Sequence, residues 1–347
     1  MPEEKWRVNK KLVILVLGLV LLFLFIFSFF WGRFSIGPLD LIKMTLSRIL
    51  NIFSHDFVIE KTWTDTMESI FFRVRMPRVA LACLIGCALS VAGASYQGAF
   101  QNPMASPDIL GASSGAAFGA SLAILTGHRA LMIMLYAFCF GLLTMGLVFI
   151  ISRKARGKQI IGLILAGIMV SSLFSAATSY IKLVADTDRQ LPEITYWLMG
   201  SLNGADSTKF WMAFVPIVLG SLVLFLLRWR INILTIGDEE AKTLGVNTRK
   251  LRVVIIIFAT LLTAISVAVA GVIGWVGLVV PHLCRRLVGN NFRYLLPASM
   301  LFGASFLLLV DNISRNFTTT EIPLGILTAF VGAPFFIYLI TRRDEVV

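Results

Sequence analysis

Long, unbroken apolar runs recur from one end of this sequence to the other, and their length decides the class of fold. A helix needs about 20 apolar residues to cross a bilayer. Runs of that order lie at 12–31, 79–100, 109–126, 130–152, 159–184, 210–229, 250–270, 272–288, 295–314 and 323–341. They do not alternate with period two, which excludes a transmembrane β-barrel. Composition agrees: 57% of the 347 residues are apolar and 14% charged, against about 45–50% and 25% in soluble domains. A soluble enzyme, a disordered chain and a disulfide-stapled secreted module are excluded. The expected fold is all-α, a polytopic membrane protein with about ten transmembrane helices, its residues 1–347 forming a single transmembrane domain. The run 12–31 is too long for a signal-peptide core and has no small-residue cleavage site after it, so it reads as a retained first span. The run 272–288 is short and glycine-rich and reads as a broken or tilted helix.

In such a chain the net charge of +12 describes loop topology and not a nucleic-acid footprint. With the N-terminus inside, nineteen of the 31 Lys and Arg residues fall in cytoplasmic segments and twelve in outer ones. The positive-inside rule therefore places both termini in the cytoplasm. Seven of the outer twelve crowd into 32–78. That segment begins with an amphipathic stretch, Gly37 to Leu50, whose Leu39, Ile42, Leu46 and Ile49 recur at helical spacing; it reads as a short helix on the outer membrane surface. It closes on Arg73, Arg75 and Arg78, just before the second span. For Arg75 and Arg78 two readings stand level: steering an acidic partner, or snorkelling to the membrane interface.

Two cytoplasmic loops have more character than turns require. In 101–108, Pro103 and Pro107 prevent a continuous helix and Asp108 can cap the next one. In 237–246, Asp238, Glu239 and Glu240 open a short helix that Gly245 closes. Gly111, Gly115 and Gly119 recur every four residues, spacing that lets helix backbones approach closely in lipid. With Gly271, Gly274 and Gly277 they hint at an internal duplication.

Several chemistries are missing. The cysteines Cys83, Cys87, Cys139 and Cys284 lie in apolar runs, and His55, His128 and His282 are scattered, so no metal site is expected. No Gly-x-x-x-x-Gly-Lys-Ser/Thr phosphate loop occurs, so the chain carries no ATPase site of this kind. Gly111 to Gly115 matches Gly-x-Ser-x-Gly, but it opens a glycine-spaced membrane helix, where packing is favoured over an intramembrane protease using Ser113. Asp108, Asp311, Glu321 and Lys182 flank spans, which argues against proton or sodium coupling. No repeated filter marks a channel. An importer driven by separate subunits fits this inventory, with an ion-coupled secondary transporter as the alternative from a different class.

Five ordered motifs resemble the FecCD-type permeases of ABC importers. They are Arg75-Met-Pro-Arg78, the stretch from Gln97-Gly98 through Asn102-Pro103-Met104-Ala105 to Gly115-Ala116, the loop Gly237 to Val246, Gly274-Trp275-Val276-Gly277-Leu278-Val279-Val280-Pro281-His282, and Glu321 to Phe336. The resemblance implies a type II ABC importer permease in the cell membrane. It would pair with a second permease subunit, a homodimer or else a heterodimer. Two ATP-binding cassette subunits would sit below it and an extracytoplasmic substrate-binding protein above. ATP and Mg would reside on the cassette subunits, with no cofactor on this chain. By the same resemblance Arg75, Arg78 and Arg315 receive the binding protein. Gly237, Asp238, Glu239, Ala241, Leu244 and Gly245 couple to the ATPase, and Asn102 and Met104 stand at the cytoplasmic gate. Pro281-His282 is a helix break or a substrate contact. Met104 and Trp275 replace the family's usual Leu and Phe. The commonest family cargo is an iron–siderophore, which is the expected cargo on that ground; cobalamin, haem and oxyanions stay open.

Overall fold

The computed structural model describes residues 9–34, 36–53, 61–154 and 159–341. Both chain ends, on which the orientation was argued, and His55 lie outside them. The described residues form helices α1 (Lys10–Phe30), α2 (Pro38–Phe53), α3 (Asp65–Ser69), α4 (Met76–Ala99), α5 (Ala112–Leu125), α6 (Ala130–Lys154), α7 (Gln159–Val184), α8 (Gln190–Leu198), α9 (Ser207–Leu234), α10 (Asp238–Thr243), α11 (Thr248–Ala270), α12 (Val276–Val288), α13 (Phe292–Asn316) and α14 (Leu324–Thr341). A π-helical stretch, Ile70–Arg75, joins α3 to α4. The loops end in side chains that satisfy the free amides of the next helix. Asn9, Asp206, Asn247 and Asn291 accept from Lys11, Lys209, Lys250 and Arg293 at 3.1, 2.7, 3.0 and 2.9 Å.

The fold is that of a polytopic membrane protein. α4 and α11 are buried along most of their length, whereas α1, α7 and α9 turn most of their surface outward. That outer surface is apolar, with Leu165, Ile168, Leu173 and Leu183 of α7 and Leu219, Leu222 and Leu226 of α9 all exposed. Such a surface suits lipid, which costs nothing to cover an apolar side chain. α2 follows the same logic: Leu39, Ile42 and Leu46 are exposed while Met44 is buried.

The count of ten spans is corrected. Among the described residues seven helices are long and apolar enough to cross a membrane: α1, the continuous run Asp65–Ala99, α6, most of α7 (Ile160–Val184), α9, α11 and α13. The other three apolar runs yield shorter helices for identifiable backbone reasons. Pro107 opens a 3-10 turn and Gly111 takes φ +76°, so α5 has only 14 residues. Residues 271–274 are not helical, so α12 has 13. At a rise of about 1.5 Å per residue neither spans the ~30 Å of hydrocarbon. The apolar part of α14 is likewise short, Leu324–Tyr338. α12 runs through Pro281 without ending there.

α4 is the spine of the bundle. A Cβ on its Gly86 would overlap the carbonyl of Gly303 in α13, and one on Gly93 would overlap the carbonyl of Gly277 in α12. Backbone meets backbone at both crossings. The bundle has two distinct ends. The lower one gathers the start of α1, the ends of α9 and α12 and the start of α13, with Lys10 Nζ 5.6 Å from the Tyr294 ring centre and Asn232 Oδ1 accepting from the Phe292 amide at 3.3 Å. The upper one gathers the end of α1, the start of α4 and the end of α13. Replacing Gly93 by Ala forces overpacking of the order of 1–3 kcal/mol, so Gly93→Ala should lower the unfolding temperature in detergent. Gly146→Ala, where a Cβ meets nothing within 4 Å, should not.

Candidate functional site

The lower end presents a small lever. α10 has acidic residues Asp238, Glu239 and Glu240 in its first turn, where the positive end of a helix favours them. Gly237, ahead of it, takes φ 142° with the Glu240 carboxylate beneath, space that a side chain would occupy. Gly245 closes the element at φ 78°, its amide donating to the Lys242 carbonyl at 2.9 Å while Val246 donates to Ala241 at 3.0 Å. Ala241 is fully buried and Leu244 exposed, so α10 is seated on one side and presents an apolar residue on the other. Glu239 pairs with Lys242 at 2.7 Å and holds that ammonium above its ordinary pKa.

Arg252, in α11, fastens this lever to the spine. Its guanidinium meets Asp238 of α10 at 2.7 and 3.3 Å, and its Nε donates to the Ala99 carbonyl in the last turn of α4 at 2.8 Å. The loop 101–106 begins at that same turn. Asn102 donates its amide to the Gln97 carbonyl at 3.1 Å, and its side chain accepts from the Met104 amide at 2.9 Å. Gln101, at φ 53°, reaches the Leu234 carbonyl at the end of α9 at 2.5 Å. Met104 is exposed. The residues assigned to coupling and to the gate are thus adjacent, joined by an arginine that sequence reasoning counted only as a basic charge.

At the upper end Arg75, Arg78 and Arg315 are 5%, 7% and 8% exposed, each engaged inside the chain. Arg78 meets Asp311 at 2.9 Å and both oxygens of Glu321 at 2.8 and 3.0 Å. Arg315 donates to the Ser28 carbonyl at 3.0 Å and to Asn312, and stands 3.7 Å from Asp311. Arg75 donates to the Phe29 carbonyl at 2.7 Å and to that of Phe34. Arg33 adds bonds to the Arg315 and Thr318 carbonyls at 2.9 and 2.7 Å. The network ties the connections that follow α1 and α13 to the start of α4. Arg73 alone of the expected cluster is exposed.

The remaining motif residues have plain neighbours. Gly115 and Gly119 of α5 lie against Phe140, Thr144 and Tyr136 of α6, and Gly111 against Ser171 and Thr144. Ser113 Oγ donates to Asp108. His282 sets its ring edge on Phe335 of α14. Among the described residues no group of three or more His, Cys, Asp or Glu gathers as a metal site.

Comparison with known proteins converges on one family. The FecCD transport family matches residues 20–342. The molybdate import system permease MolB of Haemophilus influenzae is 43% identical over 275 residues, 79% of this chain and 82% of that protein. The hemin transport permease HmuU of Yersinia pestis is 40% identical over 289 residues, 81% of this chain and 86% of that protein. A solved structure described as an inward-facing metal-chelate type ABC transporter superposes with a TM-score of 0.84 at 38% identity, covering 95% of this chain and 99% of that one.

The upper network carries its own prediction. Removing Arg78 leaves Asp311, fully buried, without its main counter-charge, and breaking a buried pair costs about 3–5 kcal/mol. Arg78→Met should therefore sharply lower the unfolding temperature of the purified protein. Adding Asp311→Asn and Glu321→Gln should recover part of the loss.

Proposed function

The chain belongs to the FecCD transport family, and on that premise we propose the role of each end in an ATP-driven importer. As a member of that family it is a membrane-embedded transport subunit of the metal-chelate importer class and not an enzyme. The observation that carries the assignment is the Arg252 bridge between an exposed short helix and the loop at the end of α4. α10 is the docking element for an ATP-binding cassette subunit. Movement imposed on α10 reaches Ala99 through one guanidinium, and the loop of Asn102 and Met104 begins two residues later. Two cassette subunits and a second copy of the permease complete the assembly, ATP and Mg being held by the cassettes.

The lower end faces the cytoplasm in this proposal, supported by the excess of Lys and Arg in the loops expected there. The whole chain acts as one transmembrane unit. A substrate-binding protein docks on the upper end. Arg75, Arg78 and Arg315 serve it by fixing the rim through their internal bonds, with Arg73 exposed beside them.

For the cargo, an iron–siderophore is not favoured over other family cargoes. The molybdate and hemin permeases are similar to this chain at nearly equal identity. We propose an oxyanion or another metal chelate, with molybdate first to be tested.

In proteoliposomes the purified chain alone should hydrolyse no ATP, and uptake should require the cassette and binding proteins. Uptake by this chain alone, driven by an ion gradient, would overturn the proposal in favour of a secondary transporter. Interactions along a coupling route are worth about 0.5–2 kcal/mol. Arg252→Met should accordingly reduce uptake about two- to thirtyfold while the assembled complex still hydrolyses ATP.

A further inference from the structure

The buried and half-buried arginines of this chain differ in what compensates them. Arg78 has two carboxylates, Arg315 has Asn312 and Asp311, Arg252 has Asp238 and a carbonyl, and Arg75 has two carbonyls. Half-buried Arg228 has the Phe225 carbonyl at 2.7 Å and the face of the Phe225 ring, whereas Arg285 has neither a carboxylate nor a backbone carbonyl. It is half-buried in the last turn of α12, and its side chain makes one hydrogen bond, to the neutral amide oxygen of Gln97 in α4. No ion pair joins it to a carboxylate among the described residues. A guanidinium carries five N–H donors in a planar fork, so most of its capacity is uncommitted.

Its surroundings increase the positive charge. His282, Arg285 and Arg286 stand at i, i+3 and i+4, one face of α12. Arg286 is exposed, and His282 Nδ1 is buried without a hydrogen-bond partner. Lys10 of α1 comes close to Gly289, one turn beyond. Gln97 is itself held over the α4–α12 crossing, its Nε2 3.5 Å from the Gly277 carbonyl. Interfacial snorkelling does not account for this geometry. A snorkelling arginine extends its head into water, whereas Arg285 turns inward onto α4.

We propose that Arg285, with His282 and Arg286 on the same face, forms an anion-binding site at the lower end. It receives a tetrahedral oxyanion, or the carboxylates of an anionic metal chelate, as cargo leaves the permease. The assignment rests on the importer reading and adds the charge of the cargo to it. A planar fork meets two oxygens of such an anion at once, and the half-buried setting strengthens the attraction relative to water. Gln97 is a positioning residue: it aims the fork and sits in the α4 turn that Arg252 and Asn102 also grip. Motion of that turn would change the aim of Arg285, so the site could be strong in one state and weak in another.

The test uses the complete transporter, with its cassette and binding proteins, in proteoliposomes offered radiolabelled molybdate or ferric citrate. Hydrogen bonds to a charged group are worth roughly tenfold or more in binding. Arg285→Gln should therefore reduce uptake of the transported anion at least about tenfold, and Arg285→Lys should recover part of it. Gln97→Glu tests the same site with the arginine in place, because a carboxylate there neutralises the guanidinium while keeping the packing; it should reduce uptake comparably. Uptake within twofold of wild type in both Gln97→Glu and Arg285→Gln would overturn the site while leaving the importer reading intact. A wild-type complex that imports neither anion would overturn the anionic-cargo assignment, and one that needs no ATP would overturn the importer reading itself. A defect confined to vesicles containing phosphatidylglycerol and absent in pure phosphatidylcholine would assign the site to a lipid headgroup and overturn it as a cargo site.

Discussion

The close approach of α4 to two neighbours, at Gly86–Gly303 and Gly93–Gly277, is the contact on which the rest of the molecule depends. In lipid there is no hydrophobic driving force between helices, so association rests on van der Waals contact and on interhelical hydrogen bonds. Backbone-to-backbone crossings maximise the first. They also bring side chains one or two turns away into reach of partners that are distant in sequence. Below the Gly93 crossing, Gln97 meets Arg285 and Ala99 meets Arg252; above the Gly86 crossing, Arg78 meets Asp311. One steric fact about two glycine pairs therefore sets both charged ends.

Charge is distributed unequally between those ends. At the upper end the cations are matched by carboxylates and backbone carbonyls within the chain, and burial makes that matching obligatory. Desolvating an arginine costs several kcal/mol unless good geometry offsets it. The result is a stiff rim joining α1, α4, α13 and the segment before α14. At the lower end compensation is incomplete. Arg252 is matched and acts as a strut, while Arg285 has only a neutral amide.

Much of this was legible in the sequence, because apolar runs report helices and side-chain caps report where they begin. The short helix after Gly237 was readable from its acids and its closing glycine. What escaped was of two kinds. Hydropathy reports composition and not where the backbone unwinds, so the runs containing α5, α12 and α14 looked like full spans; the breaks at Gly111 and at 271–274 follow from local backbone geometry. Long-range pairing was the other. Arg78 lies 233 residues from Asp311 and 243 from Glu321, so nothing local marks it as buried, and the internal bonds of Arg75 and Arg315 likewise join segments distant in sequence. Arg252 escaped for the same reason: an arginine near the start of a span looks like a topological signal whether or not it grips a neighbour.

The two ends are connected by how α4 is held. At its last turn the grip of Arg252 is on a backbone carbonyl, that of Ala99, and not on a side chain. A side chain can change rotamer and let a displacement dissipate, whereas a carbonyl within a helix moves only with the helix. Displacement of α10 is therefore transmitted to α4 as a rigid element. At the other end Arg78 anchors the same helix to α13 and Glu321, and the glycine crossings between leave no side-chain layer to deform. A rod fixed at its top and pushed at its bottom pivots about its tightest contacts. The largest excursion then falls on the turn of Gln97 to Asn102, which carries both the loop of Met104 and the residue that aims Arg285. The chain thus concentrates movement at the lower turn of α4 and withholds it from the upper rim.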